Sequence, residues 1–399
     1  MKTNDLWSFK ADCCGCELCS QTCPKQIISM RADEEGFLYP HIEDETSCID
    51  CKRCINVCPV KKPGRVVVHI EKSFSFSLPD ENDLQRSASG GIVTAISRAF
   101  VQQDGVVYGV TYIDDCRSIK YQRAASMTEL ENFRGSKYAQ AVKGNVYDDI
   151  KKDVKDGKKV LFIGLPCEVS AVYHAVAKQD QLYTISLICH GPTSQKVHRD
   201  YLASLPNASK KICFMSVRYK KTGWKPYYIH VEYEDGKVYE EQWDKSDYGI
   251  AFQYLKRPSC HTCRYKTRDN QFGLQSDMTV GDYHALKKGA PKYNKWGVSQ
   301  VSIQTEKGRY LASLIQERIE DAVIPNSLIQ ISNRALHQPI PLRGNRNRFL
   351  KDYQGHSLHY ATHSFMVKFT DRIIRIGRQL KRVKNIKKLP SKLIGLIRK

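Results

Sequence analysis

The clearest chemistry in this sequence lies in two identical cysteine runs near its amino terminus. Each run reads C-x2-C-x2-C-x3-C-P, and three thiolates at these intervals can hold one face of a cubane iron–sulfur cluster within a single turn. The fourth cysteine, next to proline, is then directed to the other cluster. Structural zinc sites take their four ligands as two well-separated pairs and do not fit this spacing. The runs therefore predict two [4Fe-4S] clusters, cluster one held by Cys13, Cys16, Cys19 and Cys58 and cluster two by Cys48, Cys51, Cys54 and Cys23.

The segment that contains these runs, residues 1–62, resembles a bacterial-type two-cluster ferredoxin. Proteins of that kind transfer single electrons, so we expect the rest of the chain to contain the group with which the clusters exchange them. Cys14 lies outside the spacing pattern and is interpreted as a spare thiol.

Length and cysteine use limit the class of protein. The chain has 399 residues, more than one ordinary core accommodates, and we expect two or three domains. Its 15 cysteines would suggest disulfides in a small secreted chain, but no signal-peptide pattern is found and clusters need reduced thiolates. We therefore expect a cytoplasmic protein. No run of 18 apolar residues is present to span a membrane.

The formal net charge of +21 is unevenly distributed along the chain. From His363 onward there are 12 lysines and arginines against one acidic residue, so about half of the excess lies in this tail. A basic protein suggests a nucleic-acid partner. No recognition motif accompanies the charge, however, and we expect no nucleic acid to bind.

Apolar residues in the tail recur three or four positions apart, as on one stripe of a helix. A basic amphipathic helix of this kind can lie on an anionic membrane, which predicts peripheral contact with the inner face of the membrane. The alternative is a helix whose stripe packs on the protein body while its charges are solvated. The stripe consists of Phe365, Phe369, Ile373, Ile376, Leu380 and Val383.

The middle of the chain contains a βαβ pattern. Residues 159–164 and 182–188 read as buried strands, and residues 167–178 between them read as a helix. A right-handed crossover makes the two strands parallel. This geometry brings Cys167 and Cys189 to the carboxyl edge of the sheet, where open α/β sheets bind ligands.

Cys260 and Cys263 form a C-x2-C pair in a loop that follows alternating, hairpin-forming strands. Such a pair alone is ambiguous between zinc, redox and cluster chemistry. Together with Cys167 and Cys189 it makes a set of four thiolates suited to a third cubane cluster or to zinc. Beside the eight ferredoxin cysteines we favour a third [4Fe-4S] cluster.

The pentapeptide Ser-Ala-Ser-Gly-Gly at 87–91 precedes a helical pattern that begins at Ile92. Serine at this place can cap the helix, while two glycines allow free backbone N–H groups to approach a phosphate. Both interpretations stay open on this motif alone. Nearby, an apolar run at 66–70 predicts the first strand of the second domain, and Thr128-x-x-Glu131 predicts a capping box.

Several short motifs follow one another in this part of the chain. They are Ser-Ala-Ser-Gly-Gly at 87–91, Gly-Ser-Lys-Tyr at 135–138, Gly-Leu-Pro-Cys-Glu at 164–168, Ile-Cys-His-Gly-Pro at 188–192, Cys-His-Thr-Cys-Arg-Tyr at 260–265 and Ser-Asp-Met-Thr-Val-Gly-Asp-Tyr at 276–283. In this order they resemble the coenzyme F420 hydrogenase/dehydrogenase beta-subunit family, from about residue 66 to 350.

This resemblance implies a flavoprotein with FAD beside a cubane cluster, since flavin exchanges single electrons with clusters and a hydride with organic substrates. It implies that Lys137 and Tyr138 are catalytic and that they, with Gln140, flank the flavin or the substrate. It also implies contacts to the FAD phosphates from Ser87, Ser89, Gly90 and Gly91.

Three residues depart from the pattern of that family. Leu165, Ala141 and His284 stand where its members usually have Thr, Ser and Trp. Many relatives with a fused ferredoxin are bacterial and accompany surface-polysaccharide genes. The substrate is therefore open between coenzyme F420 and a sugar-linked molecule.

The sequence thus predicts an α+β and α/β protein. We expect a two-cluster ferredoxin domain at 1–62 and a flavin-binding catalytic domain at 66–350, with parts at 66–180 and 181–350. This second domain contains a βαβ unit and antiparallel hairpins. A basic helical tail at 351–399 follows it.

The function expected from these features is that of an iron–sulfur flavoprotein oxidoreductase. A soluble electron donor or acceptor meets the ferredoxin clusters, and FAD exchanges a hydride with an anionic organic substrate. Four basic residues are either ligands of that substrate or solvated surface groups, and the sequence favours neither: Arg134, Lys137, Arg264 and Arg268. One alternative is an electron-transfer subunit that docks on a hydrogenase or dehydrogenase and has no substrate of its own. A second alternative is a cluster-bearing structural protein without flavin.

Overall fold

The structure is a computed structural model that describes residues 11–67, 69–267, 272–315, 324, 329 and 332–382. Arg268 and the part of the tail beyond Arg382 lie outside the described residues, so the predictions made for them have no structural counterpart here. The described helices are α1 (Leu18–Thr22), α2 (Arg53–Asn56), α3 (Glu81–Arg86), α4 (Ile92–Val101), α5 (Met127–Leu130), α6 (Val146–Lys155), α7 (Pro166–Ala175), α8 (Gln195–Ser204), α9 (Asp247–Tyr254), α10 (Glu306–Ser313), α11 (Arg334–His337), α12 (Arg346–Gly355), α13 (Leu358–His363) and α14 (Phe365–Arg382).

The strands fall into three sheets. A two-stranded sheet belongs to the amino-terminal domain, a seven-stranded sheet forms the centre of the molecule, and a three-stranded sheet lies beside it. The described strands are β1 (Ile28–Ala32), β2 (Leu38–Ile42), β3 (Lys72–Phe76), β4 (Val106–Ile113), β5 (Ser118–Ala124), β6 (Val160–Gly164), β7 (Leu182–Leu187), β8 (Ile212–Tyr219), β9 (Tyr228–Tyr233), β10 (Val238–Gln242), β11 (Met278–Asp282) and β12 (Ser299–Ile303).

The amino-terminal domain repeats one backbone turn in its two cysteine runs. Gly15 and Asp50 occupy equivalent places in the runs, as do Glu17 and Lys52, and all four have φ between 48° and 66°. Left-handed residues of this kind form concave turns whose N–H groups face a common centre, as in many iron–sulfur sites. Strands β1 and β2 pair antiparallel between the two runs. The sequence repeat is therefore also a repeat of backbone conformation.

The seven-stranded sheet has the order β3-β12-β11-β7-β6-β4-β5. Its four middle strands, β11, β7, β6 and β4, are parallel, and the outer three pair antiparallel. The predicted βαβ unit is present as β6, α7 and β7. This mixed sheet, with the ferredoxin domain before it and helices after it, confirms the predicted fold class.

Helices cover both faces of this sheet, which explains why β6 is buried along its whole length. On one face, α4 and α10 contribute Ile96 and Leu311 to a core. On the other face, α6 and α7 contribute Ile150 and Val172. The sheet is thus held rigidly at its middle strands, and their carboxyl edge can position side chains for chemistry.

The three-stranded sheet β8-β9-β10 is antiparallel and has its own core. Tyr248 of α9, Phe349 of α12 and Leu358 of α13 pack with Val231 of β9 in that core. The carboxyl-terminal helices therefore close over the small sheet.

Two local predictions were wrong. The strand predicted at 66–70 is displaced: Val67 makes an isolated bridge with Leu274, and the first strand of the sheet is β3. The capping box of α5 uses Ser126 and Glu129, because Ser126 has the extended backbone that a cap requires while Thr128 already lies in the helix.

The predicted domain bounds stay predictions. The large sheet takes β4 and β6 from one side of residue 180 and β7 and β11 from the other, as hydrogen-bonded neighbours in one sheet. Among the described residues, no helix combines the length and the apolar character that crossing a bilayer requires.

Candidate iron–sulfur and flavin sites

The ferredoxin cysteines have neighbours from both runs. Cys16 and Cys19 each have Cys58 among their nearest ionisable neighbours, although Cys58 belongs to the other run. Cys54 in turn lies near Cys23 and Cys51. Such pairs across the runs are what an exchange of the fourth ligand requires, and the ligand assignment itself stays a prediction. Burial and neighbouring thiols raise the pKa of Cys19, which means that they disfavour its thiolate form. A bound metal ion would stabilise that thiolate.

Four further cysteines line one cavity, which we call the cysteine cavity. Cys167 lies in the first turn of α7, directly after β6, and Cys189 follows β7, so both lie at the carboxyl edge as expected. Cys260 and Cys263 reach the cavity from the loop before β11. Gly191 is needed for this approach, since a β-carbon there would lie 3.0 Å from Sγ of Cys260.

Cys14 is a fifth thiol at the same cavity. It lies within hydrogen-bonding reach of both Cys16 and Cys167, so it stands between the first ferredoxin ligand set and the cysteine cavity. The interpretation of Cys14 as a spare thiol missed its position between these two groups of cysteines. The spacing motif contains no signal for it, because the contact is made only when the two domains meet.

Buried cations surround the cysteine cavity. Lys256, Arg257 and Lys266 are only 3%, 0% and 5% exposed, and Nζ of Lys266 donates to the carbonyl oxygen of Cys189 at 3.0 Å. Burial lowers the pKa of Lys256 to about 8. Buried cations are stable only beside hydrogen-bond acceptors or negative charge, so this region is suited to an anionic centre.

The ferredoxin domain is docked on the body by polar contacts to its first cysteine run and to the turn between β1 and β2. The hydroxyl of Tyr147 donates to the carbonyl oxygen of Cys16 at 2.6 Å. Arg346 forms a buried ion pair with Glu35. Because both contacts are largely shielded from water, they hold the first cysteine run and the β1–β2 turn in place against the body.

The predicted phosphate loop at 87–91 has its hydroxyl groups occupied by protein partners. Oγ of Ser87 donates to the carbonyl oxygen of Asp83, and Oγ of Ser89 donates to that of Val298. The N-cap of α4 is Gly91, with φ of 81° and no side-chain cap. Of the two interpretations left open for this motif, capping of the helix by serine was therefore wrong.

Packing of the loop on the large sheet explains why residue 90 is glycine. A β-carbon at this position would overlap the carbonyl oxygen of Phe76 in β3 and lie 2.5 Å from the amide nitrogen of Ser299 in β12. The N–H of Gly90 donates to Oγ of Ser299 at 2.9 Å. The glycine is therefore required for packing on the sheet, whatever the loop binds.

A buried lysine that sequence reasoning missed holds this loop. Nζ of Lys220 donates to the carbonyl oxygens of Leu84 and Ser89, at 2.8 and 2.7 Å, and to that of Trp296. Lys220 is 2% exposed, and its burial lowers its pKa to about 7. Its position after the alternating strand β8 carried no distinctive signal.

Beside the loop lies a polar group at the carboxyl end of β11. Nη2 of Arg218 donates to the carboxylate of Asp282 at 2.8 Å, and His284 stacks on Trp224 with ring centres 5.7 Å apart. Two buried nitrogens, Nε of Arg218 and Nε1 of Trp224, have no hydrogen-bond partner within the part of the chain that the structure describes. Ser89 also lies near this carboxylate.

The structure separates the three residues predicted to flank flavin or substrate. Tyr138 packs on Trp243 at 4.9 Å between ring centres, close to Arg218. Nζ of Lys137 turns to the carbonyl oxygens of residues 132 and 134, and burial lowers its pKa to about 7. Gln140 lies elsewhere: its Nε2 donates to the carbonyl oxygen of Cys14 at 2.8 Å, at the ferredoxin contact.

Two of the predicted anion ligands also have protein partners. Arg134 is paired with Asp83 at 2.9 Å and with Glu131 at 3.0 Å. Arg264 lines the cysteine cavity and lies over the ring of Phe272. Of these two arginines, only Arg264 lines a cavity described above, the cysteine cavity.

Comparison with known protein families gives two matches. Residues 157–324 match the family described as the carboxyl-terminal part of the coenzyme F420 hydrogenase/dehydrogenase beta subunit. Residues 12–62 match the 4Fe-4S dicluster domain. The chain therefore combines a segment that matches a 4Fe-4S dicluster domain with one that matches the carboxyl-terminal domain of that beta subunit. This confirms the resemblance drawn from the motifs.

The beta-subunit match contains Cys167, Cys189, Cys260 and Cys263 of the cysteine cavity, whereas the predicted phosphate loop lies before it. Among solved structures, a chain of the F420-reducing [NiFe] hydrogenase complex from Methanosarcina barkeri is 18% identical, with a TM-score of 0.44. The alignment covers 73% of this chain and 94% of that one, and it is too distant to carry an argument about function. No curated protein matches the chain.

Proposed function

We propose that this protein is an iron–sulfur flavoprotein oxidoreductase. Electrons pass between the two ferredoxin clusters, a third [4Fe-4S] cluster in the cysteine cavity and FAD, and a hydride is exchanged with an organic substrate. The observation that carries the proposal is the meeting of Cys167, Cys189, Cys260 and Cys263 at one cavity, next to the cluster-one loop.

The donor set of the cysteine cavity fits a cubane cluster. Four thiolates on one zinc ion, at Zn–S distances of about 2.3 Å, lie about 3.8 Å apart. Among the residues that the structure describes, no three cysteine sulfurs form a group within 4.8 Å of one another. The wider arrangement and the surrounding buried cations favour a larger anionic centre, such as a four-iron cluster with four thiolate ligands.

The polar group beside the predicted phosphate loop fits a flavin nucleotide. The first-turn amides of α4 have no intrahelical acceptor and suit a phosphate, and the unpaired Nε of Arg218 and Nε1 of Trp224 suit acceptor atoms of a ligand. Bound there, FAD would supply the conversion between single-electron and hydride transfer. Asp282 fixes the guanidinium of Arg218, and Tyr138 supplies an aromatic wall beside it.

A short path joins the two proposed sites. His190 follows the cavity ligand Cys189, lines the cavity and lies near both Asp282 and His284. It therefore spans from the cysteine cavity to the polar group of β11. This proximity supports electron transfer between a cluster in the cavity and a flavin at the loop.

The substrate class that we propose is an anionic organic molecule, either coenzyme F420 or a sugar-linked compound. The experiment uses the isolated full-length chain, reduced anaerobically, and follows flavin absorbance after each candidate is added. Reoxidation of the flavin by either compound shows that the chain has its own substrate. If neither reoxidises it and only a partner complex turns over, the protein is an electron-transfer subunit instead.

For the tail we propose contact with an anionic membrane surface at the cytoplasmic side. Phe365 and Phe369 are 82% and 50% exposed, whereas Val367 on another face of α14 is 2% exposed. This exposure of Phe365 and Phe369 supports membrane contact over packing of the stripe on the protein body. An exposed apolar stripe among many basic residues suits an anionic lipid surface.

Vesicle cosedimentation tests the tail. Full-length protein should pellet with vesicles that contain phosphatidylglycerol and should dissociate as salt rises, because the attraction is partly electrostatic. A chain truncated after His363 should stay in the supernatant. Equal pelleting of the truncated chain would refute the proposal.

A further inference from the structure

Arg257 is among the largest fully buried side chains of the molecule, with 0% exposure. It lies three residues before Cys260, in the beta-subunit domain, yet it reaches into the ferredoxin domain. Its Nε donates to the carbonyl oxygen of Cys13 at 2.6 Å, and its Nη2 donates to that of Leu38 at 2.9 Å. Nη1 donates to Oε1 of Gln140 at 2.8 Å.

These partners leave the positive charge of Arg257 in place. All three acceptors are neutral oxygens, and the guanidinium lies 4.3 Å from the ring centre of Tyr39, a neutral aromatic face. Arginine stays protonated even when it is buried. The site therefore holds a full positive charge in a region of low dielectric constant, where its field is strong.

The charge lies beside a predicted ligand of cluster one. Nη2 of Arg257 lies 3.5 Å from Sγ of Cys13, and Arg257 is also a charged neighbour of Cys14 and Cys260. Cluster two has its own nearby cation, Lys52, but that side chain is exposed to solvent. Water and salt screen an exposed charge much more than a buried one.

We infer that Arg257 is a positioning residue that raises the reduction potential of cluster one above that of cluster two. Reduction adds one electron to a cluster, and a buried cation beside its ligand stabilises the added negative charge. The difference favours electron movement from cluster two, near the surface at the exposed Cys51, to cluster one. This inference needs the ferredoxin clusters but not the flavin or the third cluster.

The test is a redox titration of anaerobically reconstituted full-length protein, followed by electron paramagnetic resonance. Iron content is measured first, so that only variants with intact ferredoxin clusters are compared. The variants are Arg257→Met, which removes the charge, and Arg257→Lys, which keeps the charge but loses the planar set of guanidinium N–H donors. Lys52→Gln is the matched control at cluster two.

We expect Arg257→Met to lower the potential of cluster one and to leave that of cluster two unchanged. Arg257→Lys should restore at least part of the shift, and Lys52→Gln should change neither potential measurably. An unchanged cluster-one potential in Arg257→Met overturns the inference. An equal fall in the Met and Lys variants also overturns it, because hydrogen-bond geometry rather than charge would then set the potential.

If Arg257→Met does not assemble its clusters, the order of reduction in the unmodified protein decides. Cluster one should be reduced at the higher potential, and its signal is identified as the one that persists when Cys51→Ser alters cluster two. Reduction of cluster two first, or of both clusters together, contradicts the inference.

Discussion

The cysteine cavity and the loop at 87–91 lie near edges of the same large sheet but present opposite kinds of groups. In the cavity, thiols face one another and buried ammonium and guanidinium groups surround them. In the loop, both serine hydroxyls and the N–H of Gly90 are bound to the protein itself. The cavity thus has ligand atoms available for a metal centre, whereas the loop depends on neighbouring side chains to hold a nucleotide.

The largest effect is expected at the cavity. The unmodified protein should contain about twelve iron atoms, in three four-iron clusters. Replacing Cys260 and Cys263 with serine should remove about four of them, because two of four ligands are lost, and should spare the ferredoxin clusters. Iron analysis and paramagnetic resonance measure both outcomes.

The control for that change is Cys213→Ser, since Cys213 is an exposed cysteine in β8. This variant should keep all of its iron. A double variant at Cys260 and Cys263 that also keeps about twelve iron atoms would show that the cavity holds no cluster.

The contrast explains what could be predicted from the sequence. Parallel strands bring Cys167 and Cys189 to the same edge of the sheet, so the βαβ pattern alone was enough to predict that they lie together. Gly90, by comparison, has a packing role against β3 that the motif cannot reveal. Cys14 and Lys220 escaped prediction because their contacts form between segments that are distant in sequence.

The next largest effect concerns the loop. Lys220→Met should remove three hydrogen bonds, one of them to the loop at the carbonyl oxygen of Ser89. The variant should therefore release several-fold more FAD than the unmodified protein does. Lys221→Met is the matched control, since the neighbouring lysine is exposed and pairs with Glu240. The FAD-to-protein ratio after gel filtration measures the result.

This pair of variants is a better test than Gly90→Leu, which the sequence alone would suggest. Leucine at that position would collide with the backbone of β3 and prevent folding rather than report on a phosphate site. Equal flavin retention in Lys220→Met and Lys221→Met would move the flavin away from the loop.

The smallest effect is a dependence of stability on pH. Burial lowers the pKa of Lys220 to about 7 in the folded chain, whereas an unfolded lysine has a pKa of about 10.4. Between these values the unfolded chain binds more protons, so the free energy of unfolding should rise with pH, by at most about 1.4 kcal/mol per pH unit for one group. Below pH 7 both states are protonated and this contribution is constant.

The difference between the unmodified protein and Lys220→Met isolates this slope, since other titrating groups, including the partly buried Lys137, are common to both. Anaerobic urea unfolding at several pH values from 7 to 10 should show a stability difference that grows in favour of the unmodified protein as pH rises. A difference that stays constant over this range would mean that Lys220 titrates normally. It would then hold the loop as a permanently charged donor, and the loop and the cysteine cavity would both be organised by buried positive charge.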